Sequence, residues 1–384
     1  MPGFDQLDRS RLRERPGAKW QRYGPDVLPL WVADMDFEPP PAVLRAIEDQ
    51  MATGDLGYSM KPSPSPVAAA FASWMSRRHG WEVDPHDVML TQDVIQALQT
   101  SIHLFSEPGG GVAIQTPIYP PFLASVTAMG RRLVDNPLRR GADGYELDVA
   151  GLRASLEAEP CSILLLCNPH NPTGRVFTID ELSSLAALAE EFDLTVISDE
   201  IHADLVFPGS THTPFATLPG AAERTVTLNS ATKSFNIAGL RCAVAHVSSG
   251  RLRDRFRSLP DHIFGGVNVF GARATEAVWT EGSQWLEGLM GHLLRMRELV
   301  VAGVGEFLPG AEIAAPEATY LSWIDCRGMD LPVEPSRFFL KEAGVALNPG
   351  PDFGSGGRGH VRLNFATSAD IVTEAFGRIA RALP

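Results

Sequence analysis

Two rhythms of apolar and polar positions run along this chain. Short, nearly continuous apolar runs recur at Val88–Leu90, Gly111–Gln115, Ser162–Cys167, Leu194–Ser198, Thr225–Leu228 and Cys242–Ala245. Runs of that length and continuity predict strands covered on both faces. Between them, Val94–Phe105 and Glu181–Phe192 repeat apolar residues every three to four positions, which predicts amphipathic helices. Strands alternating with helices predict an α/β fold with a mainly parallel sheet between helical layers. Helical periodicity also opens at Ala42–Met51 and governs Ser283–Leu308, after which shorter alternating strands are expected at Thr319–Asp325 and His360–Phe365. That change of rhythm predicts a smaller α+β domain over 281–384 and a large domain over 41–280. Residues 1–40 are rich in Arg, Pro and Asp, and read as an extended arm joining the small domain, with one apolar piece at Leu28–Val32.

Composition narrows the function classes. A chain of 384 residues with 44% hydrophobic and 21% charged residues is an ordinary globular composition, long enough for two domains. The net charge of −13 and the lack of a dense basic run exclude a nucleic-acid footprint. The arginines at 9, 11, 13 and 15 are interrupted by Asp8 and Glu14 and read as a solvated segment. Four scattered cysteines without a CxxC pair predict reduced thiols, and ten histidines without HExxH spacing predict no metal site. The absence of a charged-then-apolar start and of a long apolar run predicts a cytoplasmic protein that does not span a membrane. No internal repeat stands out, and Lys61–Pro66 reads as a proline-rich loop.

The chemistry-bearing residues fall where strands end: Thr91, Asn168, Asp199 and Ser230. Ligands in parallel sheets bind beyond the carboxyl ends of the strands. Ser230-Ala231-Thr232-Lys233 sets a lysine among small and hydroxyl residues, with Arg241 following. A desolvated lysine near other cations becomes a neutral nucleophile. Hydroxyls and a guanidinium fork suit a phosphate. Together they describe an anchor for pyridoxal 5′-phosphate (PLP), although Lys233 alone would pass for a lysine in a polar loop. Asp199 closes its strand, where it would pair with a protonated pyridine nitrogen or merely cap a turn. In Asn168-Pro169-His170-Asn171-Pro172-Thr173-Gly174, two prolines aim an amide inward, so that Asn171 would meet the ring 3-oxygen and a substrate carboxylate. Tyr119, stiffened by Pro117, Pro120 and Pro121, would stack on a flat ring. Thr91-Gln92-Asp93 opens a helix whose free N–H groups suit a phosphate. Asp93 suits the helix dipole but opposes a phosphate dianion, and the sequence leaves its direction open. Arg362 lies in a late alternating strand and would clamp a carboxylate. The glycine-rich Gly350–Gly359 lacks a Lys-Ser/Thr pair and reads as a turned loop leading to that arginine.

In their order along nearly the whole chain, these motifs resemble fold-type I PLP enzymes of the class I/II aminotransferase superfamily. Leu30–Phe37, Ser198–His202 and Ser230–Leu240 resemble the MalY/PatB group of cystathionine β-lyases, the C–S lyases. The resemblance implies a homodimer with shared active sites. It makes Lys233 the cofactor lysine and proton shuttle, Asp199 the pyridinium partner, Asn171 the 3-oxygen donor and Tyr119 the stacking ring. Thr91, Gln92, Asp93, Ser230 and Arg241 would surround the phosphate, and His202 would touch the cofactor. Tyr58 would reach the phosphate of the second subunit. Ala33 and Asp34 would lie at the substrate mouth, and Arg362 would hold the substrate carboxylate. The chain departs from the group at Gln92-Asp93, where many relatives carry small residues such as Pro-Gly.

The implied reaction is β-elimination from cystathionine or another cysteine S-conjugate, giving a thiol, pyruvate and ammonia. Transamination needs the same Lys233, Asp199 and Arg362, so the motifs leave it open. Two further readings stay beside it. One is a secondary-metabolism relative, of the lincosamide type, that cleaves a large S-conjugate or couples decarboxylation to oxidative deamination. The other is a regulatory protein built on the same fold.

Overall fold

The computed structural model describes residues 4–58, 63–141, 144–260, 263 and 265–384. Ser59 beside Tyr58, and Lys61 and Pro62 of the proline-rich loop, lie outside them. The six apolar runs, with one strand the pattern did not predict (Arg132–Pro137), form one seven-stranded sheet of β1 (Val88–Thr91), β2 (Gly111–Thr116), β3 (Arg132–Pro137), β4 (Cys161–Cys167), β5 (Thr195–Asp199), β6 (Thr225–Asn229) and β7 (Ala243–His246). Their spatial order is β1-β7-β6-β5-β4-β2-β3. All neighbours run parallel except β7, which is antiparallel to both β6 and β1.

Alternation along each strand explains why both faces are covered. Ile163 and Leu165 of β4 join Val112, Ile114, Ile197 and Val226 in one core layer, while Leu164 and Leu166 join Ala113 and Val196 in the other. Every one of these side chains is almost wholly buried. Helix Ile179–Glu191 seals the second layer. It starts in a capping box, with Thr178 and Glu181 each accepting from the other's backbone.

A four-stranded antiparallel sheet follows, of β8 (Glu312–Ile313), β9 (Leu321–Asp325), β10 (Asn348–Pro349) and β11 (His360–Asn364), in the order β8-β9-β11-β10. The helices that matter for the site are α1 (Pro41–Thr53), α2 (Val94–Phe105), α3 (Val269–Glu281) and α4 (Ser283–Phe307).

The arm differs from its sequence expectation. It carries two short helices, Arg9–Glu14 and Ala18–Gln21, and its arginines are not simply solvated. Leu12 is buried, Arg9 pairs with Glu374, and Arg15 donates to the Asp36 carbonyl at 2.9 Å. Leu28–Pro29 pairs in parallel with Val345–Ala346, so the arm adds to the layer that carries the small sheet. Arginine stems packing along apolar surface explain how a charged segment docks this way.

Candidate active site

Parallel β2, β4, β5 and β6 end on one edge of the large sheet, β1 ends there too, and antiparallel β7 begins there. Pairing of Cys167 with Asp199 sets the Asn168 turn beside that carboxylate, and the Asn168 N–H donates to the Asp199 carbonyl at 3.0 Å. Asn168 Oδ1 accepts from the Phe177 N–H at 3.0 Å, closing the Asn168–Gly174 turn, whose two Asn–Pro bonds are both cis.

Lys233 stands on a one-turn helix, Ala231–Ser234, directly after β6. Ser230 caps that helix, accepting from the Thr232 N–H at 3.2 Å and donating to the Cys242 carbonyl at 2.6 Å. Lys233 Nζ donates to the Ala33 carbonyl at 2.8 Å, and the Tyr320 hydroxyl donates to the same oxygen at 3.1 Å. The arm is therefore the wall against which the amine rests. Its path there is fixed by side chains. Asn364 Nδ2 reaches the Val32 and Asp34 carbonyls at 2.6 Å each, and Lys19 Nζ reaches the Asp34 carbonyl at 3.0 Å. Asn236 Oδ1 accepts from the Met35 N–H at 3.1 Å, and its Nδ2 reaches the Phe37 carbonyl at 2.7 Å. Lys19 also forms a buried ion pair with Asp36 at 2.9 Å, which Trp20 Nε1 completes at 2.7 Å. Removing one member of such a pair would leave an uncompensated buried charge.

Burial lowers the Lys233 amine to about 8; Asp34 and Asp199 pull it back up and Arg362 pushes it further down. Burial raises Asp199 to about 7, with the Ile201 N–H opposing at 3.0 Å. His202 is buried and neutral, pushed down to about 3 by desolvation, with its ring 6.2 Å from that of Tyr320. Burial lowers even Arg362, to about 10. Its Nη1 donates to Asn171 Oδ1 at 2.9 Å and its Nη2 to the Trp31 carbonyl at 3.2 Å, while the guanidinium carbon lies 5.0 Å from the centre of the Phe353 ring. Tyr119 opens helix Pro120–Ala128, within electrostatic reach of Arg362 and Asp199, and burial raises its phenol. The Gly350–Gly359 loop is a tight turn. A Cβ on Gly350 would sit 2.0 Å from the Gly357 carbonyl oxygen.

Across the sheet edge, Ala243 pairs with Thr91, so the residues just outside that pair face one another. Arg241 forms an ion pair with Asp93, which also caps α2 by accepting from the Gln96 N–H at 2.8 Å. Gln92 is exposed, and its N–H donates to Gln96 Oε1 at 2.9 Å. Tyr58 is fully exposed.

The structure thus gathers Lys233, Asp199, Asn171, Arg362, His202 and Ala33 at one end, with Tyr119 in electrostatic reach of both Asp199 and Arg362 here and Asp93 and Arg241 beyond. Thr91, Gln92, Asp93, Ser230 and Arg241 stand at the other, and Tyr58 is exposed. Sequence reasoning missed Tyr320 and the arm-fixing residues Lys19, Asn236 and Asn364. Tyr320 opens an apolar strand and reads as core. Asn236 lies in the lysine motif, where its position was visible but its partners, some two hundred residues away, were not.

Comparison with known proteins settles the lineage. The family described as aminotransferase class I and II matches residues 25–379. The chain belongs to this family. Within it, the chain is 36% identical to cystathionine β-lyase PatB of Bacillus subtilis, over 95% of this chain and 96% of that one. It is 33% identical to the cystathionine β-lyase of Corynebacterium glutamicum, over 99% and 100% of the two chains. Its fold matches the PLP-bound C–S lyase of Staphylococcus hominis with a TM-score of 0.93 at 31% identity, over 99% and 98% of the chains.

PLP is the cofactor of this family, and the donor set here fits it. Asp199, a buried carboxylate with a raised pKa, is suited to a cationic ring N–H. The Lys233 amine titrates low enough to be a nucleophile near neutral pH. The buried His202 Nδ1 and Arg362 Nε have no hydrogen-bond partner among the described residues, leaving donors for a polar ligand.

Proposed function

We infer that this protein is a PLP-dependent carbon–sulfur lyase that eliminates a thiol from cystathionine or another cysteine S-conjugate, releasing pyruvate and ammonia. The observation that carries this reading is the meeting of Lys233, Asp199 and the Asn171–Arg362 pair at one sheet edge, in a chain alike over nearly its full length to cystathionine β-lyases.

When bound, PLP supplies a ring that takes up the electron pair freed as the substrate Cα loses its proton. Lys233 would hold it through its amine, Asp199 at the ring nitrogen, Asn171 at the ring oxygen and Tyr119 against the ring face. His202 would lie beside it. Thr91, Gln92, Asp93, Ser230 and Arg241 form the phosphate cup. Arg362 binds the substrate carboxylate with a forked guanidinium, already oriented by Asn171 and the Trp31 carbonyl. Once released, the Lys233 amine takes the Cα proton. Its lowered pKa keeps a large neutral fraction near pH 8. The Cβ–S bond then breaks with its electron pair leaving on sulfur, which departs as the thiol. Water completes the balance as the remaining three-carbon fragment becomes pyruvate and ammonium. Ala33 and Asp34 line the mouth through the arm.

The same reading takes the chain as a large domain over 41–280, a small domain over 281–384 and an arm over 1–40. It also takes the protein as a cytoplasmic homodimer. Among the described residues no helix is long and apolar enough to cross a membrane. The exposed Leu44, Met51, Leu56 and Tyr58 form an apolar strip on α1 and the chain just after it, suited to a second copy, whose phosphate Tyr58 would reach.

The test is to incubate the PLP-loaded protein with L-cystathionine and assay thiol and pyruvate. Equal yields of both, independent of any added keto acid, are expected. Amino-group transfer that depends on 2-oxoglutarate, without thiol release, would make the protein an aminotransferase.

A further inference from the structure

The phosphate cup contains its own anion. Arg241, the guanidinium placed to meet the cofactor phosphate, is ion-paired with Asp93. Both ends of that contact are fixed by the fold. Arg241 sits in the left-handed backbone region at φ 52°, unusual for a residue with a side chain. Asn268 Nδ2 holds the preceding Leu240 carbonyl at 2.6 Å, and a Cβ on Gly271 of α3 would lie 2.1 Å from that same oxygen, so α3 presses directly on the turn. Asp93 in turn is committed to α2 through Gln96, and Gln96 Nε2 is tied to the Ile263 carbonyl at 3.0 Å. The carboxylate is thus held at the cup by a cap on one oxygen and a guanidinium on the other.

A phosphate monoester carries about −1.5 to −2 charges near neutral pH. It would enter a cup whose arginine is already neutralised, against a carboxylate that cannot leave without uncapping α2. We propose that Asp93 is an affinity-setting residue that weakens the protein's hold on the phosphate of PLP and makes that hold tunable. This rests on the PLP reading above. Like charges a few ångströms apart repel appreciably even at the dielectric of a partly exposed site, and salt screens them. The effect must therefore belong to the phosphate and not to the pyridine ring.

Asp93→Asn and Asp93→Ser both keep a good N-cap while removing the charge. Dissociation constants of wild type and both variants are measured for PLP and for pyridoxal, which lacks the phosphate, at low and high salt. The expected result is PLP binding tightened about tenfold or more in both variants, pyridoxal binding changed by less than about twofold, and a gap that shrinks in high salt. PLP affinity that is unchanged or weaker in the variants would overturn the inference, the weaker case making Asp93 a residue that aims Arg241. Equal tightening toward pyridoxal would overturn it as well. A wild type that takes up no PLP, with Lys233 unlabelled after borohydride reduction, would remove the functional reading and this inference together. A wild type that binds, with variants that bind equally, removes only the inference.

Discussion

At the amine end of the site, Asp199 and Asn171 are 5% exposed and Arg362 and His202 2%, whereas at the phosphate end the Arg241 side chain is 63% exposed and that of Asp93 33%. Desolvation dominates the first region. It moves a lysine down, a carboxyl up and even a guanidinium down, so each group there depends on its neighbours for its protonation state. The second region is an ion pair near solvent, where charges are screened and individually worth little. On the proposed reading, reaction chemistry thus sits where substitutions are costly, and the exposed Arg241–Asp93 pair, flanked by buried Thr91 and Ser230, is where cofactor affinity can be changed cheaply. Changes at the buried end should abolish or reshape the reaction. Changes at the exposed end should shift binding and leave the chemistry standing.

The largest effect expected from this contrast is at Lys233. Lys233→Ala should lower lyase turnover by at least about 10²–10⁴-fold, the range assigned to positioned proton transfer alone. It should also abolish borohydride labelling of that position. Turnover within tenfold of wild type would break the comparison at its centre. Next comes Arg362→Gln. Each hydrogen bond to a charged group is worth about 1.5–3 kcal/mol, so losing a forked contact of two should cut kcat/KM by roughly 10²–10⁴-fold. PLP affinity should stay close to that of wild type, since on the proposed reading Arg362 serves the substrate. A fall in cofactor affinity with kcat/KM retained would reverse that assignment.

The two ends were unequally legible in the sequence. Six strands of the large sheet were visible because continuous apolar stretches admit few other structures; the seventh, Arg132–Pro137, was not, since Arg132, Asp135 and Asn136 break its apolar run. Lys233, Asp199 and Asn171 were visible because they end such runs. Arg362 was found in its strand, and Asp93 was recognised as opposed to a phosphate. Its pairing with Arg241 depends on the antiparallel insertion of β7 beside β1, which a run of apolar residues does not encode. The arm was misread for a related reason. Its arginines look solvated in one dimension, and only the packed molecule supplies Glu374 and the Asp36 carbonyl as partners. Helix Pro66–His79 escaped notice, although Ser65 caps it and Pro66 starts it.

Protonation offers a sharper test of the buried end. Asp199 is raised from its ordinary 3.8 to about 7, so between those values the folded cofactor-free protein holds a proton that the unfolded chain has released. The contribution of this carboxyl to stability should therefore fall as pH rises from about 4 to 7, by up to about 4 kcal/mol, while buried His170, His202 and His246, held down at about 3, 3 and 4, act in the opposite sense over the lower part of that range. Lys233 is lowered from 10.5 to about 8, so the unfolded chain binds the extra proton between those values, and stability should recover as pH rises through that window. Urea unfolding of cofactor-free wild type and Asp199→Asn at pH 5, 7 and 9 isolates the carboxyl: the stability of wild type relative to the variant should fall between pH 5 and 7 and change little between 7 and 9. A difference between wild type and Asp199→Asn that is flat between pH 5 and 7 would show that the carboxylate is not desolvated as described.

The smallest expected effect is at Tyr320, a positioning residue that touches the Ala33 carbonyl and not the reacting atoms. Its phenol, raised by burial, stays protonated and shares that carbonyl with Lys233 Nζ. Tyr320→Phe keeps the ring against His202 and removes one donor, a loss of about 1 kcal/mol for a typical hydrogen bond. The carbonyl would then accept from the amine alone and hold it more strongly. The cationic form of Lys233 gains most from that contact, so the pH at which the free amine titrates should rise by a few tenths of a unit. Turnover should fall about two- to threefold below that pH and recover above it. A purely structural role would lower stability without moving the pH profile, so an unmoved profile would remove Tyr320 from the amine end and leave Ala33 held by the arm alone.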